Sequence, residues 1–386
     1  MKVHIAKRME GIAPFHVMGL LARANQLEAQ GRSIIHMEIG EPDFVTPKPI
    51  IEAGRRALAA GYTHYTPTTG LPQLRERIAS YYKERYGVEL AADRVVVTPG
   101  ASGALQLALS VLINPGDEVL VADPSYPCYR HLVRLMDGVC MMVPVGAESA
   151  YQFTPELVTQ QLNGNCVAVI LASPSNPTGT LINDAMLTEI VHIVEEKGAR
   201  CIVDEIYHGL IYGDKANTAL AISSECFVIN SFSKYFGMTG WRVGWLIAPE
   251  PYLPAVDKLA QNIFLAAPTP AQHAALAAFT AETRAELEQR RAAFCARRDY
   301  LLPELRGIGF DIPVTPHGAF YLYANCERFT QDSYAFATDV LENAGVAITP
   351  GVDFGVHAAD KHVRFAYTTG LEKLKEGVQR LHDYLS

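Results

Sequence analysis

From residue 94 onward the chain alternates short β-branched runs with longer stretches of helical period, and few folds accommodate that pattern. The runs that read as strands are Arg94–Thr98, Glu118–Ala122, Val167–Ala172, Arg200–Val203, Phe227–Asn230 and Gly244–Ala248. Several are apolar throughout rather than at alternate positions, as expected of strands covered on both faces. Between them, Ser102–Leu112 and Asp184–Lys197 read as helices. Strand–helix–strand repetition folds into βαβ units around a mostly parallel sheet, so the expected class is α/β.

The C-terminal part changes character. Ala281–Leu305 is a long helix rich in Ala, Glu and Arg, followed by strand-like Ala319–Tyr323, a helix near Ser333–Asn343, strand-like His362–Tyr367 and a terminal helix from Leu371. This pattern predicts a second, smaller α+β domain, joined by the N-terminal segment up to about Pro42 unless that segment packs on a partner subunit. The division is a large domain over residues 45–280 and a small one from residues 1–44 and 281–386.

Composition excludes more than it identifies. A chain of 386 residues, 49% hydrophobic and 19% charged, suits a globular protein of two or three domains. A net charge of -8 argues against nucleic acid as a partner. No apolar run approaches the ~18–20 residues of a membrane span. The first eight residues, Met1 to Arg8, hold no apolar signal core. Seven cysteines without a Cys-x-x-Cys pair read as reduced core residues, which predicts a cytoplasmic location. The twelve histidines show no ligand spacing, so no metal site is expected.

In an open α/β sheet the ligand crevice lies at the carboxyl ends of the strands. Polar groups gather there. Thr98-Pro99-Gly100-Ala101-Ser102-Gly103 follows the first strand and opens a helix whose N–H groups suit an anion. Alone it is an ordinary turn. Tyr126 follows the second strand in Asp123-Pro124-Ser125-Tyr126 and is placed to stack on a flat heterocycle, though a lone tyrosine is more often packing. Asn176 follows the third, in an Asn-Pro turn that proves nothing by itself. Asp204-Glu205-Ile206-Tyr207 follows the fourth, and an ionised acid ending a buried strand loses several kcal/mol of hydration unless a cation partners it.

The fifth strand ends in Ser231-Phe232-Ser233-Lys234, with Arg242 eight residues beyond the lysine. Two hydroxyls and a guanidinium make a phosphate cradle. A lysine amine beside them can condense with a phosphate-anchored aldehyde, the requirement of pyridoxal phosphate (PLP). The bland alternative is an exposed lysine at a strand end. A rival is the Ser-x-x-Lys nucleophile of penicillin-binding acylases, with Tyr323-Ala324-Asn325 as a second element, but the chain has no Lys-Thr-Gly. That motif should also open a helix rather than close a strand. Order and placement together favour a PLP site.

Over essentially its whole length the chain resembles the fold-type I, class I/II aminotransferases related to aspartate aminotransferase. The resemblance rests on Ile39-Gly40-Glu41-Pro42-Asp43-Phe44, Tyr65-Thr66-Pro67-Thr68-Thr69-Gly70-Leu71, the Gly100–Gly103 turn, Asn176-Pro177-Thr178-Gly179, Asp204 to Tyr207, Ser231 to Arg242, and Val363-Arg364-Phe365. It implies a PLP-binding large domain on a mostly parallel seven-stranded sheet. Lys234 would carry the cofactor and act as general base and acid, and Asp204 would pair with its ring nitrogen. Asn176 and Tyr207 would bond the phenolic oxygen, and Tyr126 would stack on the ring. Ala101, Ser102, Ser231, Ser233 and Arg242 would hold the phosphate. Arg364 would grip the substrate α-carboxylate, with Gly40 and Asn176 beside it. Tyr65 would reach the phosphate of a neighbouring subunit, implying a homodimer with shared sites.

The expected activity is therefore ping-pong transfer of an amino group from an L-amino acid to a 2-oxo acid such as 2-oxoglutarate. Aspartate-specific relatives carry a lysine after the phosphate turn, where Gly103 is aligned here, so a neutral, alanine-like or aromatic donor is expected. A PLP-dependent carbon–sulfur β-lyase of the same fold is the alternative. A PLP-binding transcription regulator is disfavoured, because the segment before about residue 30 is too short for a winged helix.

Overall fold

The structure, a computed structural model, describes residues 3–213 and 216–386. After a short turn at Lys7–Gly11, α1 (His16–Ala29) leads through β1 (Ile35–His36) to α2 (Lys48–Ala59) and α3 (Pro72–Tyr86). The central part follows as β2 (Val95–Thr98), α4 (Gly100–Leu112), β3 (Glu118–Asp123), α5 (Cys128–Leu135), β4 (Val139–Pro144), α6 (Pro155–Gln161), β5 (Cys166–Ala172), α7 (Asp184–Glu196), β6 (Arg200–Asp204), β7 (Phe227–Ser231) and β8 (Gly244–Ile247). These strands form one seven-stranded sheet in the order β2-β8-β7-β6-β5-β3-β4. Only β8 runs against its neighbours, so the carboxyl ends of the other strands share one edge, where β8 begins.

Both faces of the sheet are buried. Val97, Val169, Val203 and Val228 pack on one side. Val96, Ile170, Ile202 and Ile229 pack on the other. That two-sided burial is why these strands lack polar alternation. β4 escaped the sequence reading because Val-Cys-Met-Met-Val-Pro has few β-branched residues and lies at a half-exposed edge. β6 and β7 each run one residue further than expected, so Asp204 and Ser231 belong to the strands themselves.

The remainder comprises α8 (Leu253–Ile263), α9 (Thr269–Leu276), α10 (Ala281–Ile308), β9 (Tyr321–Asn325), α11 (Ser333–Ala344), β10 (Val346–Ala347), β11 (Thr349–Pro350), β12 (His362–Ala366) and α12 (Leu371–Leu385). β11, β12 and β9 make an antiparallel sheet, and β1 pairs in parallel with β10. The N-terminal segment therefore joins the C-terminal part. β9 starts at Tyr321 rather than Ala319, because Ala319 has φ 56°, a left-handed conformation that no strand continues through. Among the described residues, no helix is long and apolar enough to cross a membrane, and no cluster of side chains could hold a metal ion.

Candidate active site

At the carboxyl edge of the large sheet lies a cavity of about 430 Å³. Lys234 and Ser233 enter it just beyond β7, Asp204 and Tyr207 at the end of β6, and Asn176 beyond β5. Tyr126 enters from the segment between β3 and α5.

The Lys234 amine donates a 2.6 Å hydrogen bond to the Gly40 carbonyl. Burial lowers its pKa to about 8; Glu41 opposes that shift, while Arg364 and Arg242 add to it. Such an amine is a stronger nucleophile and proton acceptor near neutrality than an exposed lysine. Asp204 accepts from Tyr129 Oη at 2.7 Å and from the Ile206 N–H at 3.0 Å. Burial still pushes its carboxyl pKa up, because those bonds and the Lys234 charge only partly replace lost hydration. A cation beside Asp204 would reverse that shift.

One end of the cavity is built for an anion. α4 opens at Gly100 with no side chain capping its first turn, and Ala101 and Ser102 of that turn line the cavity. Arg242 comes alongside, so close that a Cβ on Gly100, itself at φ 70°, would lie 2.4 Å from its Nη2. Arg242 holds φ 52°, a left-handed conformation uncommon for a residue with a side chain. Ser231 is buried outside the lining, its hydroxyl within hydrogen-bond reach of Ser233 Oγ (2.9 Å) and the Val243 carbonyl (3.1 Å). It orients Ser233 rather than facing the cavity.

The opposite end is built around Arg364 of β12. Only 5% of it is exposed, so it is a buried charge rather than a surface one. Nη1 donates to Asn176 Oδ1 at 2.9 Å, and Nη2 to the Glu38 carbonyl at 2.5 Å and Thr349 Oγ1 at 3.2 Å. Its Nε is buried without a partner. The guanidinium lies 4.3 Å from the Tyr321 ring centroid and 4.8 Å from that of Phe354. Tyr321 Oη in turn lies 2.8 Å from Tyr207 Oη, bridging the two ends.

Two predicted residues stand apart. Tyr65 is 80% exposed and lies outside the lining. Gly103 also lies outside the lining, where a Cβ would come within 2.9 Å of Pro99. The turn residues that line the cavity are Ala101 and Ser102, which are equally uncharged.

The sequence reading missed Val17, Met18, Glu38, Tyr129 and Tyr321, of which all line the cavity. Tyr129 had a weak signal, three residues after Tyr126 at helical spacing. The others come from elements whose approach only the tertiary fold creates.

The chain belongs to the class I and II aminotransferase family, whose model matches residues 32–381. It is 38% identical to the (5-formylfuran-3-yl)methyl phosphate transaminase of Methanocaldococcus jannaschii, over 99% of this chain and 100% of the relative. It is 36% identical to the valine–pyruvate aminotransferase of Mycobacterium tuberculosis, over 97% of each chain. A solved aminotransferase structure from Mycobacterium tuberculosis superposes with a TM-score of 0.96 at 36% identity, covering 100% of this chain and 99% of that one.

Proposed function

We propose that the chain is a PLP-dependent aminotransferase for neutral L-amino acids, alanine-like or aromatic, with a 2-oxo acid such as 2-oxoglutarate as acceptor in a ping-pong cycle. The observation that carries the reading is Lys234, a buried amine lowered to about 8 that faces the same cavity as the buried Asp204. The residues fit the cofactor. Asp204 lacks the cation that a ring nitrogen would supply, and the uncapped start of α4 with Ser102, Ser233 and Arg242 suits its phosphate. Bound there, PLP supplies a protonated ring that withdraws electrons from the substrate Cα–H bond.

The chain's own groups do the rest. Lys234 takes the Cα proton and returns it. Asp204 would stay ionised against the ring nitrogen, while Tyr207 and Asn176 would offer hydrogen bonds to the phenolic oxygen. Tyr126 would cover the ring, and Ser231 would steady Ser233. Arg364 binds the α-carboxylate, with Gly40 and Asn176 at its side. Among the described residues the cations lining the cavity are Lys234, Arg242 and Arg364, each already assigned a role, so a donor side-chain carboxylate has no cation of its own, and the second carboxylate of 2-oxoglutarate must be met by a polar group. The relative named for valine and pyruvate agrees with that preference. Tyr65, Val45 and Tyr62 are exposed, which supports a homodimer in which Tyr65 completes the partner's phosphate site. We take residues 45–280 as the large unit and residues 1–44 with 281–386 as the small one, in a cytoplasmic enzyme.

The test is the visible absorbance of the purified protein, with single amino acids added and no oxo acid. The expected result is a yellow protein whose band is lost with alanine, valine or phenylalanine and changes far less with aspartate. A protein that stays colourless with added PLP would overturn the reading, and faster conversion by aspartate would overturn the donor preference.

A further inference from the structure

α1 begins without a capping residue of its own: Phe15 stands at its N-cap and makes no side-chain hydrogen bond. The cap comes from the far end of the chain. Asp353, in the turn Gly351–Asp353 that follows β11, accepts from the His16 N–H on Oδ1 at 2.8 Å and from the Val17 N–H on Oδ2 at 2.9 Å. His16 Nδ1 lies 3.2 Å from the same Oδ1. Two first-turn N–H groups are thus satisfied by one carboxylate, which also opposes the positive end of the helix.

Asp353 is itself held from the other side. Arg130 of α5 donates from Nη2 to its carbonyl at 2.9 Å. Asp123, at the end of β3, accepts from the N–H groups of Val356 and His357, each at 3.0 Å. The Ser125 N–H donates to the Phe354 carbonyl at 2.8 Å. The approach is so close that a Cβ on Gly355 would lie 1.6 Å from Asp123 Oδ1. A turn from the small sheet is therefore anchored to the carboxyl edge of the large one, and with 3% exposure Asp353 carries that anchorage to the start of α1.

What it carries is a wall. Val17 and Met18, the residue held by Asp353 and the next, line the same cavity as Arg364, and both are apolar. We infer that Asp353 is a positioning residue that sets this Val17–Met18 wall and thereby the enzyme's preference among donor side chains. The inference deepens the neutral-donor reading and rests on it for its kinetic part alone.

Asp353→Ala, Asp353→Asn and Met18→Ala test it in the holoenzyme. Single-turnover kcat/KM is measured for alanine, valine and methionine without an oxo acid. For Asp353→Ala and Met18→Ala alike, the methionine-to-alanine preference should fall about ten-fold, the size of a lost methylene contact or two. Asp353→Asn, which keeps one acceptor oxygen, should fall between. Amide exchange over residues 16–20 reads the anchorage without any substrate and should quicken about five-fold in Asp353→Ala, the effect of losing a helix cap. Unchanged exchange would overturn the anchorage. Faster exchange with an equal loss for every donor would leave a merely structural role and overturn the positioning one. A wild type that converts none of the donors would overturn the reading of the site, while the exchange result would still decide the anchorage.

Discussion

The two ends of the cavity are assembled in different ways. At the end formed by Ala101, Ser102, Asp204, Ser233 and Lys234, each side chain stands at or within a few residues of a strand's carboxyl end, and the sheet aligns them. At the Arg364 end, the guanidinium is held by Asn176, by the Glu38 carbonyl and by Thr349, partners 188, 326 and 15 residues away. α1 there is capped by Asp353, 337 residues from His16. The first end is set mainly by the large sheet, to which the N-terminal segment adds the Gly40 carbonyl that accepts from Lys234. The second exists only if the N-terminal segment, the C-terminal sheet and the carboxyl edge come together, which makes it the adjustable one.

The largest effect expected is at the sheet end. Lys234→Ala should lower transamination on the order of 10⁴-fold, through loss of the general base, while phosphate anchorage still retains PLP through dialysis. Turnover near wild type would break the distinction at its strongest point. At the other end, Arg364→Ala should lower kcat/KM for every donor on the order of 10²–10³-fold with the visible cofactor band unchanged. Loss of the band as well would mean that the two ends are not separable.

The smallest effect concerns stability rather than rate. Glu205 follows Asp204 but lies outside the cavity lining, fully buried and accepting from Thr218 Oγ1 and the Ala219 N–H. Burial raises its pKa from 4.5 to about 8. A raised folded-state value contributes stability below pH 4.5 that is lost progressively as pH rises to about 8, because the unfolded chain releases the proton first. His208, 3.5 Å from Glu205, is lowered from 6.5 to about 3 by burial, and its contribution is lost as pH falls from 6.5 towards 3. Glu205→Gln should therefore flatten the decline of Tm between pH 5 and 8 relative to wild type and leave donor preference unchanged. A parallel decline in both proteins would show that Glu205 does not titrate as its burial requires.

Legibility in the sequence follows the same divide. The strand-end motifs could be read because a buried parallel strand writes itself as a continuous apolar run and its next residues must lie at the edge. Edge strand β4 was not legible, since one covered side demands less of its residues. Alignment sets Gly103 where aspartate-specific relatives carry a lysine, yet a Cβ there would meet Pro99, and Ala101 and Ser102 line the cavity instead. Val17, Met18 and Tyr321 had no local signature, being ordinary apolar residues of a helix and a strand.

By itself, then, the sequence determined the sheet, its reactive edge, and the lysine, acid and arginine of the family. Those features depend on residues close in the chain, where β-propensity, turn chemistry and burial act locally. The tertiary structure alone decided which N–H groups Asp353 caps, which carbonyl holds Arg364 and which apolar residues meet the substrate. These contacts join segments hundreds of residues apart, and no local pattern specifies a partner at that range.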